Sequence, residues 1–334
     1  MKADCTMRFA TASAALLLAC GVAACAPTSH PVTAATLGVP RRAAELESVV
    51  DQPGPVVVET VAAADWEVSR AGLINLDHPG AEAAGLADGA EPIRIYFHAL
   101  RHPQRGLYIV DTGIERAQWA DPDKAAMRGA VASFMNVDRM KIRVDTAGWL
   151  ARQGQPLAGV LLTHLHLDHV SGMRDVPKGT PIYAGPGETS ESAFLNLFVA
   201  PIIDDALEGQ SSIRELSFTR DPDGRFDGVL DLFGDRTVWA IHVPGHTPGS
   251  TAYLARTPSG PVLMVGDASH TAWGWKHGVE PGTFSEDRPR SAESLRRLRA
   301  LVERHPRISV RLGHQDLNAA QPPARPKTAS SNAR

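Results

Sequence analysis

The sequence predicts a layered α/β domain in which strands and helices alternate along the chain. Short apolar runs typical of buried strands recur, and each ends just before a histidine or aspartate cluster. These runs are Gly159–Leu162, Trp239–Val243, Val262–Val265 and Ile308–Leu312. Ser291–His305 has leucines at helical spacing, which predicts an amphipathic helix. Alternating elements of these two kinds indicate sheets covered by helices, with polar chemistry at the strand ends.

The elements before the first cluster fit the same architecture. Ile93–Phe97 and Gly106–Val110 predict two strands joined by a turn at 102–105. The second of these strands runs directly into Asp111-Thr112-Gly113. Asp138–Arg152 shows helical spacing and predicts a helix before the next strand.

The first 25 residues predict a signal peptide of the lipoprotein type. Basic residues precede an apolar stretch from about Phe9 to Ala24, which is shorter than the roughly 20 residues of a membrane-spanning helix. Val22-Ala23-Ala24-Cys25 resembles a bacterial lipobox, and Leu17-Leu18-Ala19-Cys20 is a weaker competitor. We therefore expect an exported protein that is lipid-anchored through Cys25, with an unlipidated secretory signal as the alternative.

Composition sets the remaining boundaries of the chain. Residues 26–50, rich in Ala, Pro and Thr, predict a flexible tether, 51–317 a single domain, and 318–334 a disordered tail. With 43% hydrophobic residues and a net charge of −3, the chain can fill a core and offers nothing to attract nucleic acid. All three cysteines lie in the first 25 residues, so a metal in the domain would need nitrogen and oxygen ligands.

The central motif is His164-Leu165-His166-Leu167-Asp168-His169. It offers four potential metal ligands within six residues, directly after an apolar strand. His164 and His166 are two residues apart and face the same way on extended backbone, whereas Asp168 and His169 are adjacent and aim differently. The motif therefore predicts ligands for two ions, and imidazole with carboxylate suits zinc, iron or manganese.

Three further candidate ligands follow later strands. His246, Asp267 and His314 each stand beside a glycine just past a predicted strand. With these motifs the chain resembles the metallo-β-lactamase superfamily from about Val56 to Leu317. That resemblance implies an αββα sandwich. It also implies that His164, His166 and His246 hold one metal, that Asp168, His169 and His314 hold a second, and that Asp267 bridges them. Asp111 matches a family position that supports the site.

The resemblance implies hydrolysis of a small-molecule substrate by a two-metal centre, most simply with zinc. Two metals about 3.5–4 Å apart share a water, lower its pKa and hold it as hydroxide. The hydroxide attacks a carbonyl or phosphoryl centre, and Asp168 or Asp267 passes a proton to the leaving group.

Within the superfamily the chain is most similar to N-acyl homoserine lactone lactonases, which implies opening of a lactone or similar ester. Those enzymes have a tyrosine three residues after the bridging aspartate, where this chain has His270. We interpret His270 as a third catalytic residue, and a histidine there also keeps a phosphotriester hydrolase as an alternative. A β-lactamase and an iron-dependent redox protein of the same fold are further alternatives. Trp273, Trp275 and Phe284 are candidate walls of an acyl-chain pocket.

Overall fold

The computed structural model describes residues 26–190 and 196–318, in which two β-sheets pack face to face. The strands are β1 (Val32–Ala34), β2 (Val39–Arg41), β3 (Val57–Ser69), β4 (Ala90–His102), β5 (Gly106–Val110), β6 (Lys141–Ile142), β7 (Leu157–Leu161), β8 (Ile182–Ala184), β9 (Ile213–Glu215), β10 (Gly228–Asp231), β11 (Val238–His242), β12 (Thr251–Thr257), β13 (Gly260–Met264) and β14 (Ser309–Arg311). The helices are α1 (Ala43–Glu47), α2 (Arg70–Leu73), α3 (Pro79–Ala83), α4 (Ala117–Ala120), α5 (Gly129–Phe134), α6 (Thr146–Ala151), α7 (Leu167–Val170), α8 (Asn196–Leu207), α9 (Ala272–His277) and α10 (Arg288–Arg304).

The two sheets are mixed and of unequal size. The larger has the strand order β1-β9-β8-β7-β5-β4-β3-β6, and the smaller has the order β14-β13-β12-β11-β10-β2. β4 and β5 pair antiparallel across the predicted turn, whereas β5 and β7 pair parallel. The carboxyl ends of β5 and β7 therefore meet at one edge of the larger sheet, where the chemistry of such folds is found.

Apolar side chains fill three layers of core. Leu100, Leu161 and Tyr253 belong to the cluster between the sheets. On the outer face of the larger sheet, Trp149 of α6 joins a second cluster, and on that of the smaller sheet Leu298 of α10 joins a third. Helices thus cover both outer faces, and the predicted αββα sandwich is confirmed.

The interpretation of residues 26–50 as a flexible tether is wrong. In that segment β1 pairs parallel with β9, β2 pairs antiparallel with β10, and Leu46 and Val50 are fully buried. Thr favours strands and Pro is tolerated in edge strands, so this composition suits the edge strand of a sheet as well as a linker. The predicted signal peptide at 1–25 and nearly all of the predicted tail lie outside the described residues. Within the part that is described, none of the helices is long and apolar enough to cross a bilayer.

The predicted helix at 138–152 is only partly present. A 3-10 turn covers Val137–Arg139, β6 pairs with β3, and α6 begins at Thr146. The carboxylate of Asp145 accepts a hydrogen bond from the backbone N–H of Gly148, which fixes the helix start there. Strand pairing and this cap outweigh the helical spacing of the preceding residues. The four strands predicted before the histidine and aspartate clusters, and the amphipathic helix, are confirmed to within a few residues.

Candidate metal centre

Strand ends from both sheets deliver the predicted ligands to one place. The motif 164–169 follows β7 of the larger sheet, and its last residues open α7. His246, Asp267 and His314 follow β11, β13 and β14 of the smaller sheet. All seven predicted ligands come together. His166 is partly buried and 18% of the Asp168 side chain is exposed, whereas the other five side chains are at most one-twentieth exposed: His164, His169, His246, Asp267 and His314.

One group of ligands consists of His164, His166, His246 and Asp267. The Nε2 atom of His246 lies 3.2 Å from Nε2 of His164 and 2.9 Å from Nδ1 of His166. Potential ligand atoms of all four residues lie within 4.8 Å of one another. That spacing suits the coordination of a single cation by imidazole nitrogen and carboxylate oxygen.

A second group consists of Asp168, His169 and His314, and Asp267 lies between the two groups. Nε2 of His314 is 3.2 Å from Oδ2 of Asp168. Oδ2 of Asp267 is 3.2 Å from Nε2 of His314 and 3.4 Å from Nε2 of His169. The same oxygen is 3.4 Å from Nε2 of His246 in the first group. One carboxylate oxygen therefore faces both sets of ligands.

Unsatisfied polar atoms show that the cluster fits metal ions. Nε2 of His169 and Oδ1 of Asp267 are buried and lack a hydrogen-bond partner among the described residues. Gly313 lets the chain approach closely, since a Cβ atom there would lie 2.0 Å from Oδ1 of Asp267. A buried carboxylate surrounded by imidazole nitrogens is a donor set that divalent cations satisfy.

Surrounding groups orient the imidazole rings. Nδ1–H of His169 donates to Oδ2 of Asp111 over 2.8 Å, and Nδ1–H of His314 donates to the carbonyl of Arg94 over 2.9 Å. Nδ1 of His246 lies 3.0 Å from the hydroxyl of Ser285. With Nδ1 engaged, each ring turns Nε2 toward the centre, as metal-binding histidines do. The predicted support from Asp111 is present in the structure, whereas Arg94 and Ser285 were not predicted.

Charge divides the histidines into two kinds. Burial holds the pKa of His164 and of His246 well below the ordinary value and lowers that of His166 to about 4. Burial also opposes protonation of His314, but the carboxylates of Asp267 and Asp168 outweigh it and raise the pKa of His314 to about 9. The first group thus offers neutral nitrogens at pH 7, whereas the carboxylates beside His314 call for a positive charge, which a bound cation supplies.

Comparison with known proteins decides the family. Residues 97–314 match the model of the metallo-beta-lactamase superfamily. The chain belongs to this superfamily. The N-acyl homoserine lactonase AttM of Agrobacterium fabrum is 31% identical over 234 residues, which cover 66% of this chain and 82% of the relative. The gamma-lactamase MBL2 of Gibberella moniliformis is 29% identical over 173 residues, or 48% of this chain and 70% of the relative.

Solved structures agree on the fold. The crystal structure of a quorum-quenching N-acyl homoserine lactone lactonase aligns with a TM-score of 0.55 and 19% identity, covering 79% of this chain and 93% of that one. The dizinc quorum-quenching lactonase AidC aligns with a TM-score of 0.51 and 14% identity, covering 84% and 92%. This member of the metallo-β-lactamase superfamily is therefore a metallo-hydrolase related to lactonases.

In this superfamily member, His270 also reaches the centre. Its Nε2 lies 3.0 Å from Oδ2 of Asp267, and its Nδ1–H donates to the carbonyl of Leu73 over 3.1 Å. Because the Nδ1 proton is engaged, a neutral His270 turns an unprotonated Nε2 toward the ligands, and the ring donates there only when it is charged.

An apolar cleft of about 360 Å³ opens onto the ligands. Trp66, Ile93 and Phe284 are among its walls, and no lysine or arginine stands among the described residues that line it. Phe284 lies on the cleft wall as predicted, whereas the prediction that Trp273 and Trp275 line it is wrong. α9 packs these two side chains into the clusters on either side, where they are 5% and 8% exposed.

Glu188 is a buried residue of the site that the sequence did not reveal. Its Oε1 accepts a hydrogen bond from the backbone N–H of Leu165, and its Oε2 accepts one from the hydroxyl of Thr247, both over 2.7 Å. Leu165 stands between His164 and His166, and Thr247 follows His246. One carboxylate thus joins the two loops that carry the first group of ligands.

Proposed function

We propose that this protein is a dinuclear metal-dependent hydrolase that opens a lactone or a similar ester. The position of Asp267 carries the proposal, since its Oδ2 faces imidazole nitrogens of both ligand groups at 3.2–3.6 Å. Histidine and carboxylate ligands without thiolate favour zinc, and iron and manganese use the same donors. When bound, such a pair of cations would lower the pKa of a shared water and stabilise the negative charge that develops on the substrate oxygen.

The residues of the chain divide the remaining work. Asp168 is one of the two partly exposed ligands, with 18% of its side chain exposed, and its carboxylate lies at the cleft. It is placed to carry a proton to the alkoxide that leaves when an ester bond breaks. Trp66, Ile93 and Phe284 offer an apolar wall for an acyl chain, which orients the ester carbonyl at the ligands.

The charge of the cleft narrows the substrate class to neutral molecules. Near the metal ligands the cleft adds Glu286 and no described cationic side chain. A lactone is neutral, whereas a β-lactam antibiotic carries a carboxylate, for which the described lining of the cleft offers no lysine or arginine partner. A phosphotriester is also neutral, so a phosphotriester hydrolase is the second candidate.

We also propose that the protein is exported and lipid-anchored through Cys25. The support is the apolar stretch that ends in Val22-Ala23-Ala24-Cys25. Mass spectrometry of the mature N-terminus tests this proposal, and an N-terminus without lipid on Cys25 would refute it.

The experiment for the catalytic proposal is a substrate screen on a metal-analysed sample. Acyl homoserine lactones, aryl esters, phosphotriesters and β-lactams are compared at equal concentration, with Asp267→Asn as the inactive control. We expect two metal ions per chain, fastest turnover of lactones, and loss of turnover and of metal in the control because a bridging charge is removed. Faster turnover of phosphotriesters would select the second candidate, and full activity of the control would refute the dinuclear centre.

A further inference from the structure

The described chain begins at the wall of the metal cleft. Pro27 is buried and lines the cleft together with Phe284 and the ligand His166. Only Ala26 separates Pro27 from Cys25, the proposed lipidated residue. Two peptide units reach about 7 Å, so covalent geometry keeps the anchor point close to the cleft.

The residues after Pro27 are held firmly against the domain. The hydroxyl of Thr28 donates to Asp204, and the backbone N–H and hydroxyl of Ser29 donate to the same carboxylate over 2.8 and 2.6 Å. Nε2 of His30 lies 2.8 Å from the carbonyl of Ser211, and β1 follows as an edge strand. A lipid on Cys25 would therefore have almost no flexible spacer, so the anchor fixes how the domain faces the bilayer.

Helix α8 connects residues 28–29, which follow the proposed anchor, to the cleft. Its residues Val199 and Ile203 line the cleft, and the next residue, Asp204, binds Thr28 and Ser29. Phe284 on the cleft wall is 43% exposed, which is high for a large aromatic side chain. The apolar walls thus continue outward to an exposed aromatic residue near the start of the domain.

We infer that the cleft opens toward the membrane, so that the acyl chain of a substrate enters it from the bilayer. The inference rests on the proposed anchor at Cys25 and on the proposed hydrolysis of acylated substrates. The free energy of transferring an acyl chain into a bilayer becomes more favourable with each CH₂ group, so a cleft held at the interface draws on a concentrated pool of substrate. An apolar entrance facing water would have no such supply.

Fluorescence quenching by lipid tests the orientation without relying on activity. Phe284→Cys places a label at the cleft, and Gln104→Cys places one in the exposed turn between β4 and β5, at the opposite edge of the sheet. Each lipidated protein is labelled with an environment-sensitive fluorophore and reconstituted into phosphatidylethanolamine–phosphatidylglycerol vesicles that carry nitroxide lipids. We expect loss of fluorescence at position 284 and none at position 104. Equal loss at both positions, or loss at 104 alone, would refute the inference.

A linker variant separates anchoring from orientation. About twelve Gly/Ser residues inserted between Ala26 and Pro27 give a spacer of about 20 Å, which keeps the anchor and frees the domain. Quenching at 284 should then fall toward that at 104, and persistence of the full difference would contradict the role of the short spacer. Absence of lipid on Cys25 by mass spectrometry would overturn the anchor and this inference together. Quenching at 284 in a protein that hydrolyses no ester would leave the orientation standing while the proposed function fails.

Discussion

Replacing Glu188 by glutamine probes the buried carboxylate that joins two ligand loops. Glu188 is 1% exposed and accepts hydrogen bonds from Leu165 and Thr247, neither of which is charged. Burial without a cationic partner raises the pKa of Glu188 from 4.5 to about 7. Glutamine has the same shape and removes the charge, so the variant isolates the energetic effect of ionisation.

The sign and size of the effect follow from the two pKa values. Because the folded protein holds the Glu188 proton more tightly than the unfolded chain, it binds more protons between pH 4.5 and 7. The free energy of unfolding therefore falls as pH rises through that window. For pKa values of 4.5 and about 7, this loss amounts to about 2.5 kcal/mol between pH 5 and pH 8. The Glu188→Gln variant has no carboxyl group at this position, so it does not show this loss of stability with rising pH.

Urea unfolding of both proteins at several pH values, with a chelator present to remove metal, measures this difference. We expect the stability advantage of Glu188→Gln over the natural protein to grow by about 2.5 kcal/mol from pH 5 to pH 8. Other titrating groups cancel because both proteins share them. An advantage that stays constant with pH would refute the claim that Glu188 ionises in a buried, uncharged environment.

Glu188→Ala is the matched test of the hydrogen bonds themselves. It leaves the Leu165 N–H and the Thr247 hydroxyl buried without an acceptor, at a cost of about 1–3 kcal/mol each. We expect metal affinity to fall in the alanine variant and to be retained in the glutamine variant, whose side chain can accept from Leu165 and donate to Thr247. Equal metal affinity in the two variants would show that the carboxylate does not position the ligands.

The remaining predictions concern the ligands and the cleft. Asp111→Asn should weaken metal binding about 10–100-fold by loosening His169. The buried control Asp231→Asn should lower stability and leave metal binding unchanged, and competition with a chelating dye measures the metal affinity of both variants. Metal affinity should rise with pH up to about 9, because the His314 proton, held by Asp267 and Asp168, must leave first; an affinity independent of pH would contradict this. Phe284→Ala should raise KM for long acyl chains more than for short ones, and an equal change would remove Phe284 from substrate binding.

Much of the centre could be predicted because each ligand has a visible context in the sequence. An apolar strand that stops before histidine or aspartate is recognisable without a structure, and parallel strand directions bring such ends together. Asp111 also follows a strand, β5, but its supporting role was predicted from the resemblance to the superfamily. These features depend on local sequence and on side-chain chemistry, and both can be read from one chain.

Other features depend on contacts between residues that are far apart in the sequence or on backbone groups, and neither kind can be recognised from the sequence alone. Glu188 is 23 residues from Leu165 and 59 from Thr247. The carbonyl of Arg94, which orients His314, is a backbone group that every residue type shares. The aromatic density after Asp267 predicted a pocket wall, but the direction of α9 decides where those side chains go, and only Phe284 reaches the cleft. Composition likewise could not separate a tether from the edge strands in 26–50.

The crowding of the imidazoles gives an independent reason for metal at the centre. Nε2 of His246 faces Nε2 of His164 at 3.2 Å and Nδ1 of His166 at 2.9 Å, and one proton can bridge only one of these pairs. Burial keeps the pKa of all three rings low, so each ring carries a single proton, and the one in-plane position on Nε2 of His246 cannot form good hydrogen bonds with both neighbours at once. A hydrogen-bond network of histidines would avoid that arrangement. A divalent cation accepts all three lone pairs at once, and the carboxylate of Asp267 beside them balances its charge.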